Sequence, residues 1–550
     1  LTILLLNFQL YHYVELVIVE VEQGFLEGAV LETSTGGGPY YSFKGIPYAA
    51  PPVGDLRFQA PQPSIPWNGV RNATEHGAIC PQIDTETGKY IPGSEDCLFI
   101  NIYSPNMSLE TPLPVMFFIF GGALVSGSGN DADYGPDFLI DNDVVVVTFN
   151  YRVGVLGFIA LDIKEAPGNA ALKDQVAALK WTKKYIAKFG GDPENITIFG
   201  HSTGSISVSL LNLSPMTKGL FQRGIMMSGS FMNDLAQPFE PQKRVFQLCR
   251  QLGFRTRNPY EAFKFLQTVP VETLITTQPI LLYIEELNGN VSTFRPFTPV
   301  VEKYFDMEQF MIEDPLTLHK QGKVNVNELM IGHTKQEALY AAYKAQDNIL
   351  NLYPRYRSMF VPLKIVRVRS HIQYMPLSRR IYDHYIGNNS LSLSTMTEFI
   401  NFFSYYKYVY DIYRYAFMWP ICKKIYFYRF NCFSERNLYG KYGEQYGFQN
   451  TTTHMDDLMY IFDGKKYNLT IDKESESYKM IRQTTKLFAT FAKYGNPTPD
   501  KSFNVTWPEF SKTRKNFLEI DYDLSVTYND KLSEISFWRS IFESVYYPFD

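Results

Sequence analysis

One ten-residue stretch constrains this chain more than any other: Ile196-Thr197-Ile198-Phe199-Gly200-His201-Ser202-Thr203-Gly204-Ser205. A short apolar strand runs into G-x-S-x-G, and small residues suited to a helix start follow. A turn that sharp forces its central residue into a strained conformation and exposes the hydroxyl of Ser202. Glycines at 200 and 204 let the backbone pass without a Cβ clash. The helix N-terminus then offers N–H donors and a positive dipole end to negative charge developing beside the serine. This strand–turn–helix context separates a nucleophilic serine from a serine in an ordinary glycine-flanked turn.

Short apolar runs alternate with helical patterns along the rest of the chain. The runs are Val115–Phe120, Val144–Phe149, Ile196–Phe199, Gly224–Met227, Glu328–Ile331 and Lys424–Phe430. Leu172–Phe189 carries apolar positions at helical spacing. Such alternation predicts an α/β fold with a mostly parallel sheet covered on both faces. Ahead of it, residues 17–33 alternate and carry Gly24 and Gly28, which predicts antiparallel strands with tight turns. A Pro/Gly-rich loop stretch follows from Gly45 to Pro63. Length alone suggests several domains. No repeat, low-complexity tract or Ser/Gly linker marks a boundary, so residues 17–550 read as a single catalytic domain. With 45% hydrophobic and 20% charged residues, the chain is not a disordered one. A net charge of −4 lacks the basic excess on which nucleic-acid binding draws. The 16% aromatic content fits core packing and an aromatic-lined pocket equally well.

Phe189-Gly190-Gly191 followed by DPENITIFGHSTG resembles the serine active-site signature of type B carboxylesterases, the cholinesterase-like branch of the α/β-hydrolases. Residues 95–105, EDCLFINIYSP, resemble the family's second signature. Gly45-Ile46-Pro47-Tyr48-Ala49, Asn150-Tyr151-Arg152 and Asp174-Gln175 are similar to further family phrases. The resemblance runs from about residue 17 to Phe537-Trp538. It implies an α/β-hydrolase with a large central sheet flanked by helices. It also implies a serine hydrolase that cleaves small-molecule carboxylic esters to an acid and an alcohol through an acyl-enzyme on Ser202. No metal or cofactor is implied. His201, just before the serine, resembles insect secreted carboxylesterases.

A serine nucleophile needs a base, and the base needs an orienting acid. In this fold the chain order is serine, acid, histidine. Glu328–Gly332 reads as a strand, and His333–Ala338 as the loop after it. Spacing alone leaves Glu337 equally an acid at a helix start; the resemblance implies the triad acid. His371, His384 and His454 lie beyond it, the first two in segments that read as helix or variable loop. His454, in THMDDL between KIYFYRF and LMYIF, resembles the family's histidine phrase and is expected to be general base, then general acid. His201 reads as pocket lining and His333 as a loop residue.

The strand at 115–120 ends in Phe120-Gly121-Gly122-Ala123, where the family has a Gly-rich phrase beginning with His or Tyr. The residues alone also fit a plain glycine turn. The resemblance implies an oxyanion hole built from the N–H groups of Gly122, Ala123 and Thr203. Losing one such donor costs about 2.7–4 kcal/mol in the transition state. Three departures stand out. Phe120 removes a polar group behind the loop. Thr203 stands where Ala is frequent, and its branched side chain narrows the space. Ala338 follows the acid where Gly is usual, and would be strained if that position needs positive φ. Ser228, in Met227-Ser228-Gly229-Ser230, resembles a serine beside the family's triad; from the residues alone it is equally a solvated turn serine.

The chain opens LTILLLNFQL, which resembles the apolar part of a secretory signal peptide, and residues 1–16 are expected to be a leader. Asn7 and Gln9 interrupt it, and it is shorter than the roughly 20 apolar residues that span a bilayer. The later runs VMFFIFGGALV and DVVVVTF are also too short, so no membrane-spanning segment is expected. Sequons at Asn72, Asn106, Asn290, Asn388, Asn450, Asn468 and Asn504 are glycosylation candidates. Two more are set aside: Asn195 enters a core strand, and Asn212 is followed by Ser214-Pro215. Together these features predict a secreted glycoprotein. Five cysteines leave at least one unpaired within the chain. Cys80 and Cys97 bracket a loop that resembles the family's first disulfide, a closure worth about 3 kcal/mol in the chain-entropy model. Cys249 is expected to be free, because Phe254 stands near where the family often has its partner. Cys422 and Cys432 flank a strand that would hold them about 33 Å apart, beyond any disulfide. One bridge and three free, buried cysteines are therefore expected.

Other readings share these features. A silent esterase-like adhesion or binding protein typically lacks part of the triad and adds a membrane segment and cytoplasmic tail. A cholinesterase resembles a chain with Trp between its first two cysteines as a cation platform. Residues 81–96 contain none, and His201 stands where cholinesterases carry Glu. A neutral-lipid lipase is the nearest enzyme alternative.

Overall fold

A 13-stranded sheet organises the protein. The computed structural model describes residues 15–108, 110–277, 295–528 and 532–545. At one edge, Leu16–Val21, Gly24–Glu32, Pro39–Pro47 and Phe99–Ser104 pair antiparallel in succession. Val70–Asn72 pairs alongside Gly24–Glu32. Phe99–Ser104 then meets Val145–Phe149, again antiparallel. From there the strands run parallel in the order Val145–Phe149, Leu113–Ile119, Gly191–His201, Arg223–Met227, Glu328–Thr334, Lys424–Phe430 and Asn516–Ile520. Ser525–Tyr528 closes the far edge antiparallel.

The parallel strands are apolar without alternation because helices cover both faces. Val115–Ile119 and Val145–Phe149 are wholly buried. Phe118 shows the packing: its ring sits 4.7 Å from Tyr134, 4.9 Å from Phe199 and 4.6 Å from Phe462. The expected helix at 172–189 is an α-helix, Ala170–Tyr185, that tightens into a 3₁₀ turn at Ile186–Phe189. Two family phrases meet on it. Arg152 grips Asp174 through Nε at 2.8 Å and a terminal nitrogen at 2.7 Å, both side chains buried.

Three expectations are corrected. His333 is not a loop residue: the strand continues to Thr334 because its neighbour pairs with it as far as Phe430, and His333 is buried opposite Arg429. Leu16, assigned to the leader, pairs with Ala29 in the edge strand, while residues 1–14 lie outside the described ones. Cys249 and Cys432 are free and buried, but Cys422 is exposed, because it sits in the surface turn that precedes Lys424–Phe430. Cys80 and Cys97 form the expected disulfide, with Cα atoms 5.0 Å apart. Among the described residues, no helix is long and apolar enough to cross a membrane. Asn72, Asn106, Asn388, Asn450, Asn468 and Asn504 are exposed, Asn195 is half-buried and Asn212 is buried. Asn290 lies outside the described residues.

Candidate active site

The parallel strands end on one side of the sheet, and the sequence-predicted site residues follow those ends. This is where open α/β sheets hold their ligands. Gly121–Ala123 follow Ile119, Ser202 follows His201, Ser228 follows Met227, and Glu337 comes three residues after Thr334. His454 belongs to the connection after Phe430.

Ser202 sits at φ 58° and ψ −120°, immediately before the helix Thr203–Leu211. A non-glycine residue held there stores of order 1–3 kcal/mol. Its surroundings fix it: the Ser202 N–H donates to the Met227 carbonyl at 2.8 Å, and its carbonyl accepts from Ile206 N–H at 3.0 Å. The two flanking glycines are required by contact. A Cβ on Gly204 would overlap the Ile119 carbonyl oxygen, and one on Gly200 would overlap the Gly204 backbone.

The acid and histidine loops are laced together. Thr452 accepts from Lys335 N–H at 3.2 Å through its hydroxyl and from Gln336 N–H at 2.9 Å through its carbonyl. Thr453 Oγ1 donates to the Glu337 carbonyl at 3.1 Å and accepts from Tyr340 N–H at 2.9 Å. Between these loops, His454 Nδ1 and Glu337 Oε2 lie 2.7 Å apart. Glu337 Oε1 accepts from Ser228 Oγ at 2.6 Å and Thr334 N–H at 2.7 Å. Burial alone would raise this carboxyl. The hydrogen bond and charge of His454, then the Ser228 hydroxyl, outweigh it and hold the carboxyl below its ordinary 4.5. Ser228, ambiguous in the sequence, is thus a buried partner of Glu337. Ala338 escapes the strain foreseen for it, with φ at −91°.

His201 lines the cavity, as its position suggests, with its ring centroid 4.5 Å from that of His454. Burial first, then the neighbouring His454, pushes its imidazole well below the usual range, so it stays neutral. Its Nε2 lies 3.7 Å from Asp457, whose carboxyl burial and the Glu337 charge push well up. His371 and His384 sit on the helix His371–Tyr385, and His384 pairs with Glu534 at 3.1 Å.

Ser202, His454 and Gly121–Ala123 open into one cavity of about 850 Å³. Among the described residues, no acceptor takes a hydrogen bond from the N–H groups of Gly122, Ala123 or Thr203. Phe120, in place of His or Tyr, stacks on Tyr151 at 4.1 Å, and the Tyr151 hydroxyl donates to the Phe120 carbonyl at 2.7 Å. An aromatic stack thereby supports the loop where the family has a polar side chain.

Two residues that the sequence did not single out bear directly on the site. Tyr408 rides on a π-helical turn, Tyr405–Val409, and packs 4.7 Å from the His454 ring. Arg295 reaches the cavity from a remote segment and donates to the Ala123 carbonyl at 2.8 Å. The first was hidden because a π-turn has no sequence period; the second because only tertiary folding brings its segment near.

A strained serine at a strand-to-helix turn of a mostly parallel sheet is the mark of the α/β-hydrolases, and this chain has that fold. Within that class it belongs to the carboxylesterase family, whose family model matches residues 15–538. Juvenile hormone esterase of Tribolium castaneum is 31% identical over 90% of this chain and 86% of its own length. A carboxylic ester hydrolase of Bombus ignitus is 32% identical over 92% and 91%. The crystal structure of juvenile hormone esterase from Manduca sexta, with OTFP covalently attached, superposes with a TM-score of 0.86 at 26% identity, covering 96% of this chain and all of that one. The chain is accordingly a carboxylic ester hydrolase.

Proposed function

We propose that ester cleavage by this chain runs through an acyl-enzyme on Ser202. His454 takes the Ser202 proton as the hydroxyl oxygen attacks the ester carbonyl. Glu337 holds the imidazolium that results. The tetrahedral oxyanion accepts hydrogen bonds from the N–H groups of Gly122, Ala123 and Thr203. Collapse expels the alcohol, protonated by His454, and leaves the acyl group on the serine. Water, deprotonated by His454, then attacks the acyl carbonyl; the acid departs and Ser202 regains its proton.

The observation that carries this reading is the 2.7 Å contact between His454 Nδ1 and Glu337, because it leaves Nε2 as the free ring nitrogen in the cavity that Ser202 shares. The neutral His201 beside it adds no competing charge. The cavity volume lies in the range of sites for compact organic ligands. Two of the relatives are juvenile hormone esterases, and the substrate class inferred here is a small ester with an apolar acyl or alcohol part. The Cys80–Cys97 disulfide and six exposed sequons support a secreted, glycosylated protein, and residues 17–550 are taken to act as a single catalytic domain. The test is a substrate panel on Ser202→Ala and the parent: short-chain aryl esters, a choline ester and a long-chain triglyceride. The parent is expected to favour the aryl esters, and Ser202→Ala to cleave none. Preference for triglyceride would make it a lipase instead.

A further inference from the structure

Ala123 and Leu124 both occupy positive φ, at 56° and 66°, and neither is glycine. Two successive L residues in that region persist only where their surroundings hold them. The peptide that joins them is gripped at both ends. Its carbonyl, on Ala123, accepts from Arg295 Nε at 2.8 Å. Its N–H, on Leu124, donates to Thr203 Oγ1 at 3.3 Å. On the next peptide, the Leu124 carbonyl accepts from Gly154 N–H at 2.6 Å. Thr203 is fully buried, so Leu124 N–H has no water to replace that hydroxyl.

We propose that Thr203 and Arg295 are positioning residues that clamp the Ala123–Leu124 peptide in its strained orientation and so aim the Gly122 and Ala123 N–H groups at the oxyanion. The inference rests on the oxyanion-hole reading above. It gives Thr203 two tasks that an alanine cannot combine. Its own N–H belongs to the helix start, and its hydroxyl ties the opposite loop to that helix. The Thr203 hydroxyl and the Arg295 guanidinium act through the loop they hold, on charge that develops only in the transition state.

The test compares the parent with Thr203→Val, Thr203→Ser and Arg295→Met on one aryl acetate. Each variant is checked for folding by circular dichroism and for affinity toward a trifluoromethyl ketone, which forms a tetrahedral oxyanion on the serine. Thr203→Val and Arg295→Met should each lower kcat and kcat/KM alike, by roughly ten- to a hundredfold. The ketone should weaken by the same factor. Thr203→Ser, which keeps the acceptor, should retain more kcat and more ketone affinity than Thr203→Val. A folded Thr203→Val with parental kcat and ketone affinity overturns the role of Thr203, and the same result for Arg295→Met overturns that of Arg295. Thr203→Ser as impaired as Thr203→Val also overturns the hydroxyl's role, because keeping the acceptor then restores nothing. Ser202→Ala separates the two levels. If it is inactive while the clamp variants are normal, only the clamp fails; if it remains active, the underlying reading fails with it.

Discussion

Ser228 Oγ donates to Glu337 Oε1 at 2.6 Å, on the carboxylate oxygen that His454 does not use. The Glu337 carboxylate is therefore held from both sides, by the His454 imidazole and by a buried hydroxyl on the neighbouring strand end. Removing the hydroxyl in Ser228→Ala should cost about 1.5–3 kcal/mol, the range for a hydrogen bond to a charged group. The pH dependence follows from the lowered Glu337 pKa. Such a group stabilises the fold above its unfolded value, near 4.5, and the gain is lost as pH falls through the lower folded value. Urea midpoints of parent and Ser228→Ala should thus differ at neutral pH and converge on acidification below about 4.5. Parallel curves would show that the hydroxyl does not stabilise the carboxylate form.

Glu337→Gln keeps the shape of the acid but removes its charge and can present an amide N–H to His454 Nδ1. Activity on an aryl ester is expected to fall by about 10⁴-fold, the scale seen when an orienting carboxylate in such a triad is made an amide. Circular dichroism should show an intact fold. A loss below tenfold would remove Glu337 from the mechanism.

Asp457 carries the opposite shift. Burial and nearby carboxylates raise its pKa well above 3.8, so ionising it costs stability. That contribution is complete below the unfolded value and is lost as pH rises through the folded one. Asp457→Asn removes the titration. As pH rises above the unfolded value near 3.8, the parent should lose more stability than the variant, read as urea midpoints. Equal slopes would place the ionisation elsewhere.

The Arg152–Asp174 pair was legible as two separate family phrases, and the fold brings them together. Burial raises the Asp174 carboxyl even beside Arg152, so the pair itself adds little net stability. Breaking it is different. Asp174→Ala strands a buried guanidinium and should cost about 3–5 kcal/mol, while Arg152→Met with Asp174→Leu should recover most of that. Thermal denaturation of the three proteins measures both effects. A double variant no more stable than Asp174→Ala would contradict the assignment.

What the sequence made legible was short-range. The elbow around Ser202 could be read because glycine spacing, strand and helix start lie within ten residues. The strand Lys424–Phe430 was readable with correct ends because it centres on the buried apolar and aromatic run Ile425–Tyr428. His454 and Glu337 were found through phrases, not spacing: 117 residues separate them, and no periodicity links them. Tertiary effects escaped. His333 was assigned to a loop because the pairing that extends its strand comes from a segment some ninety residues later. Thr203 was read as a crowding side chain, because its acceptor role depends on a loop 79 residues upstream. Cys422 looked buried beside an apolar strand, yet the turn before the strand faces solvent.

The central claim is that Ser202 is the residue acylated by substrate. A fluorophosphonate probe reports it directly: react the protein, digest it, and locate the adduct by mass spectrometry. One stoichiometric adduct is expected, on the peptide carrying Ser202, with activity lost in proportion to labelling and no adduct on inactive Ser202→Ala. Labelling at another residue, or an aryl esterase activity that survives in Ser202→Ala, would contradict it.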